Sequence, residues 1–181
     1  EYVLRMGENV LIFVLFVFDW FGFALVLEEG LALANMALDL IGQARMLLTH
    51  AGKLEGRGRD EDGLAFQRNE PHFRNLTLCE LPNEDFARTV VRNYLFSAFQ
   101  VLLWERLLQS KDADLAAIAG KSIKEARYHV QHAGEWVIRL GDGTAESHQR
   151  TQRALDYLWP YMTEVFVDTP ADAAAEAAGV G

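Results

Sequence analysis

The chain has 181 residues, half of them hydrophobic and 24% charged, with a formal net charge of −9. That length fits one domain able to bury its own core. The acidic balance excludes nucleic-acid recognition, which needs Lys and Arg clusters against phosphates. A lone cysteine, Cys79, excludes an internal disulfide and suits a reducing cytoplasm; no base neighbours it in sequence, so it reads as a small buried hydrophobe.

The first element is the apolar run Val10–Leu27, 18 residues with one charge, Asp19. It is barely long enough to span a bilayer, and a central Asp costs about 2.5–3.5 kcal/mol on insertion scales. Only Arg5 precedes it as a basic residue and no small-residue cleavage site follows, which argues against a signal peptide. The run reads as a buried helix, with a lipid-facing helix as the alternative. A helix apolar all round must be covered on every side, so in solution it predicts a subunit interface.

Glu28 and Glu29 suit a helix N-terminus, and apolar residues at Leu31, Ala34, Leu38, Ile41 and Leu48 predict the buried stripe of the helix that follows. Gly52 marks its expected stop, and the charged segment Lys53–Asp62 reads as an exposed loop. A short helix is expected over Glu61–Asn69 before Pro71. Asn83 is then a candidate N-cap for a helix over Glu84–Ser110, striped by Val91, Tyr94, Leu95, Ala98, Leu102 and Leu107. Asp112 or Asp114 starts the next helix, which runs to Leu140 and stops at Gly141–Gly143. Thr144 caps a fifth helix reaching Trp159–Pro160. Residues 1–170 form one helical unit in this reading, and 171–181 are a frayed or truncated end. No strand signal and no internal repeat stands out. Long helices with short connections define an all-α antiparallel bundle.

Such bundles can hold two irons through Glu-x-x-His motifs, because residues three apart share a helix face and can grip one metal. No Glu-x-x-His occurs in this chain: Tyr128 follows Glu125 at the third position, and Ala126 precedes His129 by three. His129 lies on an inward face with Leu115, Ala119, Ser122, Ala126, Ala133 and Trp136. His129 and His132 could bind a metal only with a further ligand. In the second helix Asn35, Asp39, Gly42 and Gln43 recur at helical spacing with Arg45 nearby, and Glu105 sits in an apolar stretch. Asp19, Asp39, Glu105 and Glu125 with His129 and His132 match the tally of a di-iron site but not its spacing. The expectation is therefore no metal and no catalytic residue in this chain. Instead, Asn35, Asp39, Gln43, Arg45, Glu125 and His132 form a polar core network that fixes helix register. The turn Gly141–Thr144 could offer N–H groups to an anion but reads as a tight connection. Phe86, Tyr94, Phe96 and Phe99 are either core or interface.

The blocks LALANMALDLIGQARMLL, GRDEDGLAFQRNEPHFRNL, KEARYHVQHAGEWVIRLGDGT and ESHQRTQRALDYLWPY occur in order across Leu27–Phe166. They resemble the PaaC-type structural subunit of bacterial phenylacetyl-CoA oxygenase (ring-1,2-epoxidase) complexes. The resemblance implies a ferritin-like bundle paired with a homologous catalytic subunit that carries the di-iron centre, with a reductase supplying electrons for ring epoxidation by O2 in phenylacetate degradation. Asp39–Gly42 is similar to the partner's first Glu-x-x-His with the histidine lost, and Ala126–His129 to its second with the glutamate lost. Around Val14–Val26 only Asp19, Trp20 and Gly22 keep the family pattern. The family also continues beyond Gly181 with more helices. The implied role is a cytoplasmic, non-catalytic subunit without a cofactor of its own. A stand-alone metalloenzyme with degenerate ligands and a membrane-associated helical protein are the alternatives; self-association stays open.

Overall fold

A computed structural model describes residues 1–19 and 27–181, Asp19 by its backbone only. The described residues are all-α, with no strand among them. The elements are α1 Tyr2–Asp19, α2 Leu27–Glu55, α3 Glu61–Phe66, α4 Phe86–Leu107, α5 Ala113–Gly141, α6 Ala145–Leu158 and α7 Pro170–Ala178, with 3₁₀ segments at Glu70–His72, Thr77–Glu80 and Trp159–Phe166. Side-chain oxygens set most helix starts, each accepting an otherwise unmet N–H of the first turn. Asp60 accepts from Gly63, Asp85 from Arg88, Asp112 from Leu115 and Thr144 from Ser147, at 2.8 to 3.1 Å.

α1, α2, α4 and α5 form an antiparallel four-helix bundle of the ferritin-like kind. α1 lies along α2, α4 along α5, and α2 meets α5 across the middle. Gly7 of α1 touches α2 so closely that a Cβ there would lie 2.8 Å from Leu48. Phe13 of α1 stacks on Phe96 of α4 with ring centroids 4.1 Å apart, joining the two helix pairs through their aromatic side. Cys79 is fully buried beneath α1, and burial pushes its thiol pKa far up, as for an inert core residue.

Several sequence expectations are corrected. On α2 most of the predicted stripe points out: Leu31, Leu38 and Ile41 are exposed and Ala34 is half-buried, with Leu48 alone in the core, while Leu33, Met36, Ala37, Leu40, Ala44 and Leu47 are buried. α2 is apolar on both sides, so periodicity alone could not choose its inner face. The helix also passes Gly52 and ends at Glu55. A Cβ at Gly52 would lie 2.2 Å from the Arg59 carbonyl, so this glycine permits a close approach, and the reversal uses Gly56 and Gly58 at positive φ. On α4, Tyr94 and Leu102 are exposed, and Asp85 rather than Asn83 is the cap. α1 is not covered all round, since Leu15 and Phe18 face outward. The readings of Trp20 and Gly22, and of the Asp19 side chain, lie outside the described residues.

The expected frayed end forms α7 instead. Thr169 and Asp172 make a capping box, Gly179 ends the helix in the left-handed region, and Arg5 bonds both Thr169 Oγ1 and Asp172. Ser110 Oγ donates to the Val180 carbonyl at 2.7 Å, tying this end to the α4–α5 turn.

Candidate functional site

α2 and α5 cross with their polar residues facing each other, in three layers. His129 is 2% exposed, and its Nε2 lies 3.2 Å from Asp39 Oδ2. One turn along α5, His132 Nε2 lies 2.9 Å from Glu29 Oε1, and Trp136 Nε1–H donates to Glu29 Oε2 at 2.7 Å. On the other side of His129, Gln43 Nε2 donates to Glu125 Oε2 at 2.9 Å, and Gln100 of α4 donates to Gln43 Oε1 at 3.5 Å. Burial is the main influence on His129 and holds its pKa below the ordinary histidine range; Asp39 pulls the other way without reversing it. The imidazole is therefore neutral near pH 7, with Nε2–H directed to the Asp39 carboxylate.

The sequence candidates divide cleanly. Asp39, Gln43, Glu125, His129 and His132 meet in this seam. Asn35 is exposed on α2 and does not join it. Arg45 is exposed and pairs with Glu61 at 3.0 Å. Glu105 is on the outside, 3.0 Å from Arg127. Gly42 has open space where a Cβ would be, and Ala126 is fully buried. Sequence reasoning missed Glu29, Gln100 and Trp136 as members. Glu29 had a signal: it keeps helical spacing with Leu33, Met36, Leu40 and Gln43, all buried.

These residues do not fit a dinuclear iron centre. Such a centre takes single carboxylates from two helices and an acid–imidazole pair one turn apart from each of the other two. On α1 the described acid side chain, Glu8, is fully buried but bound to Arg68 and to the Arg74 N–H at 2.8 Å. On α4, Glu105 faces solvent, and Phe96 stacks on Phe13 inside. On α2 and α5 each imidazole meets an acid of the opposite helix, never one of its own. Among the described residues no group of three or more His, Cys, Asp or Glu side chains converges as metal ligands would. What the seam does is clamp α2 against α5.

The fold and this seam define a class: a ferritin-like helical bundle whose two middle helices are joined by hydrogen bonds between acid, amide and imidazole side chains. Comparison with known proteins makes the class specific. The family model for phenylacetic acid catabolic proteins matches residues 1–181. The chain is also 47% identical over 179 residues to the C component of the 1,2-phenylacetyl-CoA epoxidase of Escherichia coli (strain K12), one of that enzyme's subunits. The match covers 99% of this chain and 72% of that protein. The chain belongs to the PaaA/PaaC family of phenylacetic acid catabolic proteins.

Proposed function

We propose that this chain is a non-catalytic structural subunit of a phenylacetyl-CoA epoxidase. In this reading it supports a homologous subunit that holds the di-iron centre and the substrate, while a reductase delivers electrons. The carrying observation is the α2–α5 seam, where His129 and His132 are engaged by Asp39 and Glu29 of the opposite helix. The chain has no Glu-x-x-His, and among the described residues no three His, Cys, Asp or Glu side chains converge as metal ligands would.

A second feature supports a subunit role. Leu15 and Phe18 on α1 and Leu31, Leu38 and Ile41 on α2 leave large apolar side chains on the outer faces of neighbouring helices. Apolar surface of this extent on a bundle suits contact with another protein. The acidic, reduced-cysteine composition suits a cytoplasmic complex.

The test is reconstitution. The full-length chain, a homologous metal-bearing subunit and a reductase are purified separately and assayed for epoxidation of phenylacetyl-CoA. The expected result is no turnover by this chain with reductase alone, stable co-elution with the metal-bearing subunit, and turnover by the complex. Turnover by this chain and reductase alone would overturn the proposal.

A further inference from the structure

Gln100 and Trp104 lie one turn apart on the buried face of α4. Together with Asn9 of α1 they line a cavity of about 10 Å3 whose other walls are apolar, among them Met6, Phe96 and Leu103. That volume is about the size of one water molecule. Among the described residues, neither Trp104 Nε1–H nor Gln100 Oε1 has a protein hydrogen-bond partner. Buried polar atoms are nearly always paired, and these two are complementary: the indole N–H only donates and the amide oxygen only accepts.

The orientation of Gln100 follows from its neighbours. The carboxylate of Glu125 accepts from Gln43 Nε2, which leaves Gln43 Oε1 to accept from Gln100 Nε2. Gln100 therefore has its carbonyl oxygen left over, in the residue that shares the cavity wall with Trp104. The cavity also shares Met6, Asn9, Phe99 and Leu103 with an open cleft of about 270 Å3 bordered by Tyr2, Arg5, Arg106, Glu164 and Asp172. Those four side chains are all that the cavity and the cleft have in common as walls.

We propose that this cavity is a binding site for a single ordered water, which accepts from Trp104 Nε1–H and donates to Gln100 Oε1. The water completes a one-directional chain of hydrogen bonds from Trp104 through Gln100 and Gln43 to Glu125, linking α4, α2 and α5 through the middle of the bundle. A chain with every donor pointing the same way is mutually polarising, which makes the water part of the fold rather than passing solvent.

A crystal structure of the full chain at a resolution that resolves ordered water tests this, together with NMR detection of water contacts to the Trp104 indole proton. The expected result is a water peak about 2.7–3.2 Å from both Trp104 Nε1 and Gln100 Oε1, and a cross-peak between the indole proton and water. Gln100→Leu and Trp104→Phe should each lose the density peak, and Gln100→Leu should also lose the cross-peak. A dry cavity in the unmodified protein, or Trp104 and Gln100 bonded to protein atoms instead, would overturn the proposal. Should either variant fail to fold, the unmodified protein alone decides it.

Discussion

The buried acid on the α1 side of the core, Glu8, is held by arginine and backbone, whereas two acids of the α2–α5 seam, buried Glu29 and part-exposed Asp39, are held by histidine. Glu8 meets Arg68 and the Arg74 N–H, and nearby Arg92 is buried against the Leu81 carbonyl and Asn83. Across the bundle, Asp39 and Glu29 meet His129 and His132. Guanidinium keeps its charge across the pH range of folded proteins, so the first region is a lock with a fixed cation that ties the residues flanking Glu70–His72 to α1. Imidazole changes charge near neutrality, so the second is a clamp that acid can reach. On one side the acid is taken by arginine, and on the other the imidazoles are engaged by acids of the facing helix.

The sharpest way to break this contrast is Glu8→Ala. It leaves Arg68, whose side chain is 7% exposed, without its counter-charge. Removing one partner of a buried pair typically costs about 3–5 kcal/mol, which a denaturant midpoint would register. An unchanged midpoint would mean that the α1 lock is not structural.

Trp136→Phe comes next. It keeps an aromatic ring against Phe86, whose centroid is 5.1 Å away, but removes the donor to Glu29. A hydrogen bond to a charged group is worth about 1.5–3 kcal/mol, and equilibrium unfolding should show a loss of that order. No loss would remove Glu29 from the clamp.

The acid response distinguishes the two regions directly. Because burial keeps the folded-state pKa of His129 below the ordinary value, the unfolded chain binds a proton more readily than the folded one. Stability should therefore fall as pH drops below about 6.5, and His129 should contribute no further once pH is below its folded-state pKa. Unfolding measured at several pH values, with His129→Gln as the control, should show a flatter profile in the variant over that window. Identical profiles would contradict a neutral His129 in the seam.

The smallest effect belongs to Glu105→Gln. The Glu105–Arg127 pair is about half exposed on both sides, so its loss should change stability by no more than about 1 kcal/mol. A larger change in the isolated chain would show that Glu105 does more there than an exposed ion pair can.

How much of this was readable in advance depended on the range of each interaction. The start at Thr144 was legible, and that at Asp112 was narrowed to Asp112 or Asp114, because a cap is a contact over three residues. The lack of Glu-x-x-His was legible for the same reason, since both ligands would lie within one turn. The inner face of α2 was not, because Leu31 and Leu38 compete with Leu33 and Leu40 for the same hydrophobic signal. Nor could spacing show that Glu29, which reads as a helix-dipole acid, lies across from His132, or that Arg45 and Glu105 turn outward. Those depend on which helix lies opposite, and no local pattern carries that information.

Iron content tests the central claim most directly. The full-length chain, expressed alone in iron-replete cells and analysed by elemental and Mössbauer measurement, should carry well under one iron per chain, and His129→Ala should leave that content unchanged. About two irons per chain, with a coupled dinuclear spectrum lost in His129→Ala, would contradict it.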